Sequence, residues 1–147
     1  MSTLLSRTIA RLILLPTLVT AVAFVVKGYA SAGDGFSAGV VAGTAVVVQF
    51  LAFGPRELAE RFPILHYAPW LTFGGLLLGL LTAFVPPLLG DPILTHYPRP
   101  GEPVLHMGLL ALHTAVVFDV AVFLIVFGFI VSVIGLIGGV GVEGEGS

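Results

Sequence analysis

The sequence has no cysteine and very little charge: six lysines and arginines and eight acids among 147 residues, 10% charged in all. Without cysteine there is no disulfide, no thiolate nucleophile and no cysteine-ligated metal or iron–sulfur cluster within the chain. A net charge of −2 supplies no basic field, so no nucleic-acid partner is expected. Soluble domains carry about 25% charged residues. A chain with so few cannot clothe a surface that faces water. Also missing are a phosphate-cradling glycine loop, a nucleophile elbow and a metalloprotease motif, so neither a cofactor nor a resident metal is expected.

What is present is apolar. The chain is 57% hydrophobic with a mean hydropathy of +1.11, and lipid is the natural solvent for that excess. The length implies one domain. Four apolar stretches cover roughly residues 8–26, 36–53, 69–85 and 104–137, which predicts an all-α integral membrane bundle of four transmembrane helices. Arg7, Arg11 and the Ala21-Val22-Ala23 run imitate a cleaved leader, but the stretch is read as a retained first span. The last stretch is too long for an upright helix. It must tilt, bend at Gly108, Gly128 or Gly135, or begin outside the hydrocarbon.

The connections differ in character. Residues 27–35 form a short Gly/Ser loop. Residues 54–68 carry Arg56, Glu57, Glu60 and Arg61, and a brief interfacial helix can follow Pro55. Residues 86–103 hold six prolines, and an extended surface loop with no regular helix is expected there. The Gly/Glu-rich tail, residues 138–147, is expected to be disordered. With four spans, Arg7, Arg11, Arg56 and Arg61 share one side, and Lys27 and Arg99 the other. The excess of positive charge places both termini in the cytoplasm. Three spans plus a re-entrant segment would put the ends on opposite sides.

Several residues stand out. Ser31, Gly35, Gly39 and Gly43 recur every four residues, a ladder that lets two helix backbones approach inside lipid. The partner is either another helix of this chain or another subunit. Asp119 is an acid deep in the last stretch. An ionised carboxylate at the bilayer centre costs about 2.5–3.5 kcal/mol, so it is kept there paired, wet or neutral. It is a candidate for handling a proton or cation, or a carboxyl bonded to a neighbouring helix. Asp34 either caps the second span or contacts an ion. His106 and His113, seven apart, would share a helix face, and either is a candidate relay or headgroup contact. Glu57 and Arg61 are four apart and can pair; a cytoplasmic ion entrance would look similar.

The stretch from Val26 to Gly39, with Gly33-Asp34-Gly35-Phe36 at its turn, and the Leu51-Ala52-Phe53-Gly54 that follows resemble the B subunit of multisubunit Na⁺/H⁺ antiporters, the Mrp, Mnh or Sha complexes. Late in the chain, Phe118-Asp119-Val120-Ala121-Val122 is similar to a family motif with glycine where Ala121 stands. The family's turn also carries a proline and a further glycine that Ser31-Ala32-Gly33-Asp34-Gly35 lacks. The resemblance implies an accessory, non-enzymatic subunit of a prokaryotic plasma-membrane assembly that exchanges Na⁺ for H⁺. Its implied partners are a large A-type and a small C-type subunit. Asp119, Asp34, His113 and Glu57 are its candidates for the ion pathway, and Ser31, Gly35, Phe36, Gly39 and Gly43 for helix or subunit contact. The equivalent subunit of a membrane-bound hydrogenase or sulfur reductase, and a self-contained homodimeric transporter, are the alternatives.

Overall fold

A computed structural model describes residues 3–27, 34–99, 103, 106, 107, 110, 111 and 114–139. The elements run α1 (Leu4–Lys27), α2 (Asp34–Phe53), α3 (Pro55–Arg61), a 3₁₀ turn (Pro63–Tyr67), α4 (Ala68–Leu88), a two-residue antiparallel pair β1 (His106–Met107) and β2 (Leu110–Ala111), and α5 (Thr114–Ile137). α1, α2, α5 and the 3₁₀ turn continued by α4 give four segments long and apolar enough to cross a membrane. Ser31, His113 and residues 140–147 of the tail lie outside the described residues, as do Gly108 and the loop at 28–33.

Local chemistry explains the boundaries. Thr3 caps α1: its Oγ1 accepts from the Ser6 amide at 3.3 Å, and its carbonyl accepts from the Arg7 amide. Hydroxyls inside the spans bond back one turn, Thr17 to Ile13, Thr20 to Pro16, Thr44 to Val40 and Ser132 to Gly128. Each donor is thereby satisfied without water. Gly54, at φ 82°, adopts the left-handed conformation that ends α2, and Pro55 then opens α3.

Two expectations are corrected. Pro86 and Pro87 do not exclude helix: α4 runs through both to Leu88. The fixed φ of proline suits a helix, and the cost is a carbonyl left without its donor one turn back. Near a C-terminus that cost is small. The Ala83 carbonyl, which Pro87 cannot serve, accepts from the Leu94 amide at 3.3 Å. The last apolar stretch is not helix throughout: 106–107 and 110–111 pair as strands. α5 begins at Thr114, and His106 lies in β1, so the shared helix face drawn for His106 and His113 does not exist. The start is fixed reciprocally: the Thr114 amide donates to the Tyr97 carbonyl at 2.9 Å, and the Tyr97 amide to Thr114 Oγ1 at 2.8 Å. Helix continues through Gly128 and Gly135.

The spanning helices stand in a row, in the order α1, α2, α5, α4, and α1 makes no substantial contact with α4. This differs from a closed bundle. α2 and α5 are parallel neighbours. A Cβ on Gly35 would lie 2.1 Å from the Asp119 carbonyl oxygen, one on Gly39 2.8 Å from Val126 Cβ, and one on Gly43 2.7 Å from Ile130 Cδ1. The glycine ladder thus meets α5 of this same chain. α4 packs antiparallel on the other side of α5: a Cβ on Gly75 would lie 2.8 Å from the Ala121 carbonyl oxygen, and one on Gly128 2.6 Å from Thr72 Oγ1. α1 is tied to α2 by Gln49, whose buried amide donates to the Ala10 carbonyl at 2.6 Å.

Gly35→Ala has no room, because its obstacle is backbone. It should cost about 1–3 kcal/mol, as overpacking does, and lower the midpoint of thermal unfolding in detergent. Gly74→Ala meets nothing within 4 Å and should leave the midpoint in place. Gln49→Leu should cost about 0.6 kcal/mol and at most about 1.7, the range of hydrogen bonds between membrane helices, measured by the same melts.

Candidate functional site

Asp119 is the sixth of the 24 residues of α5. At ~1.5 Å per residue it lies about 8 Å from the helix start, well off the midpoint. With α5 beginning at Thr114, the acid sits toward one end of the span and not at its centre. Its side of α5 is covered by α2, and the residue is only 3% exposed. The reason is the Gly35 contact. Where the two backbones touch, no side chain separates them, and the Asp119 main chain lies against Gly35 in the first turn of α2. That turn opens with Asp34, half-buried, where a carboxylate suits the positive end of the helix dipole. Two acids therefore share one end of the row.

A loop closes over this end. Tyr97 donates its hydroxyl to Asp91, and Arg99 donates to the same carboxylate. The Tyr97 main chain, through Thr114, holds the start of α5. Beneath it lies an apolar cavity of about 190 Å³ lined by Leu81, Thr82, Val85, Pro86, Thr95, Tyr97 and Thr114.

Glu57 is at the opposite end. It pairs with Arg61 at 3.3 Å within α3 and with Arg7 of α1 at 3.4 Å. The structure therefore brings Asp34 and Asp119 to one end and keeps Glu57 away from both. Phe36 is 58% exposed and points away from the glycine seam. Among the described residues no three His, Asp or Glu side chains converge as a metal site would require.

Three features lie outside the expectations drawn from sequence. Gln49, a single amide in an apolar span, was a visible signal, since such a group must find a partner in lipid. The clustering of Arg7, Arg11 and Arg61 around Phe53 joins three helices and left no local mark. The Thr114–Tyr97 clamp joins residues seventeen apart in an irregular loop and was equally hidden.

Comparison with known proteins bears on this geometry. Residues 5–132 match the family described as a domain related to the MnhB subunit of Na⁺/H⁺ antiporter. The B subunit of the Na(+)/H(+) antiporter of Alkalihalophilus pseudofirmus is 31% identical over 132 residues, covering 83% of this chain and 89% of that protein. A putative antiporter subunit named mnhB2 from Staphylococcus aureus (strain Newman) is 30% identical over 128 residues, 86% of this chain and 88% of that one.

The loop network has a defined pH window. The Tyr97 hydrogen bond, and then Arg99, hold the Asp91 carboxyl below its ordinary range, while the same Asp91 contact pushes the Tyr97 phenol up. A lowered acid stabilises fully above its ordinary value and loses that contribution as pH falls through the folded one. A raised phenol stabilises below its ordinary 10.0 and loses it as pH rises through the folded value. Protection of the Thr114 amide against hydrogen exchange should therefore hold across neutral pH and fall at both extremes. Asp91→Asn should remove the acid edge and return Tyr97 to its ordinary titration in ultraviolet difference spectra.

Proposed function

Because the chain belongs to the family of domains related to the MnhB subunit of Na⁺/H⁺ antiporters, we propose that it serves as an accessory membrane subunit of a multisubunit Na⁺/H⁺ antiporter, with Asp119 shaping the path of the exchanged ion. It is a member of a transport complex, not an enzyme. The observation that carries the role of Asp119 is its 3% exposure inside an apolar span, against the turn that bears Asp34. A buried acid in a span is expensive to keep and marks an ion or proton route.

The row supports an accessory role. α1 and α4 are its edges, and their outer faces are apolar, with Leu12, Leu15, Trp70, Phe73 and Phe84 all exposed. Large A-type and small C-type subunits of the complex are the neighbours this reading sets against the α4 face and against Phe36. The excess of arginine at the Arg7, Arg11, Arg56 and Arg61 end supports cytoplasmic termini in a prokaryotic plasma membrane. Asp119 and Asp34 then serve the outer half of the bilayer, and Glu57 the cytoplasmic face.

Asp119→Asn, introduced into the assembled complex, should reduce Na⁺-dependent proton exchange in everted vesicles by about tenfold or more, the equivalent of one pK unit of lost proton or cation affinity. Partner subunits should still co-purify. Unchanged exchange with normal assembly would assign Asp119 to packing alone.

A further inference from the structure

At the end of the row opposite Asp119, three arginines surround one aromatic ring. The Cζ atoms of Arg7, Arg11 and Arg61 lie 5.5, 5.2 and 4.8 Å from the centroid of Phe53, and the residue is 7% exposed. Arg7 and Arg11 come from α1, Phe53 ends α2, and Arg61 ends α3. The ring fixes the guanidiniums through its negative face. Glu57 is shared by Arg7 and Arg61, whereas Arg11 makes no ion pair among the described residues. Among the described residues the cluster therefore carries positive charge in excess, three guanidiniums to the one carboxylate that pairs with them. Ion exchange by Asp119 has no use for it at this distance.

We propose that Arg7, Arg11 and Arg61 around Phe53 bind the phosphate of an anionic phospholipid headgroup, with the acyl chains lying along α1. The charge excess favours an added anion, the more so at a membrane boundary where the dielectric falls. Guanidinium forks match the oxygens of a phosphate. The apolar half of the ligand is also provided for. Arg7, Arg11, Leu15 and Val22 recur at four- and seven-residue spacing along one stripe of α1, and Leu15 and Val22, on the membrane side of the arginines, are exposed. A free phosphate would use only the arginines. The continuity of charge and apolar stripe on one helix is what favours a lipid.

The test is native mass spectrometry of the intact assembly in mild detergent, reading adducts on this chain after its release. Dioleoylphosphatidylglycerol, dioleoylphosphatidylcholine and inorganic phosphate are each added alone. The wild type should retain phosphatidylglycerol over phosphatidylcholine, and phosphate alone should give no lasting adduct. Arg11→Gln and Arg11→Gln/Arg61→Gln should lose that preference by about fivefold for each arginine removed. Arg11→Lys, which keeps the charge, should lose less. Arg56→Gln, exposed on α3 and outside the cluster, should change nothing. Equal retention of the two lipids by the wild type overturns the proposal without any variant. An equal loss in Arg56→Gln, or phosphate binding with no lipid preference, also overturns it.

Discussion

The contact between Gly35 and the Asp119 carbonyl organises this molecule. Inside lipid, apolar helices gain nothing from hydrophobicity when they associate, so cohesion comes from dispersion and weak polar contacts that need close approach. Gly35, Gly39 and Gly43 supply that approach on one side of α5, and Gly75 and Gly128 on the other. α5 has the highest hydropathy of the four spans and nonetheless sits centrally, because both neighbours offer it a surface without side chains. The burial of Asp119 follows from the same contact. A residue whose backbone touches a neighbouring helix cannot be wholly open to lipid.

The ends of the row carry different chemistry. One holds Asp34, Asp119 and the Asp91–Tyr97–Arg99 loop that anchors the start of α5. The other holds Glu57 and the arginines around Phe53. Asp119, in the first turns of α5, lies at the end of the row opposite the arginines around Phe53. The arginines are gathered by one ring, with Glu57 paired to both Arg7 and Arg61.

Much of this was legible in the sequence because the causes are local. A shortage of charge demands lipid, long apolar runs demand helices, and glycines every four residues demand a close neighbour. The helix after Pro55 and the pairing of Glu57 with Arg61 follow from spacing alone. The errors arose where local preference met a distant partner. The Pro86-Pro87 pair reads as a helix stop, yet Leu94 supplies the missing donor. The apolar run from residue 104 reads as helix, yet Tyr97 fixes the start at Thr114.

The sequence by itself determined the solvent, the four spans, the family motifs and the presence of one acid in the last span, since each is a matter of composition or short-range spacing. Tertiary structure decided which helix the glycine ladder meets, that the spans form a row, and how far along its helix Asp119 sits. It also joined Arg7, Arg11 and Arg61 from two helices around the last residue of a third. These depend on contacts between residues far apart in the chain. Lipid imposes no hydrophobic pattern that would mark such contacts in advance, so only the packed helices reveal them.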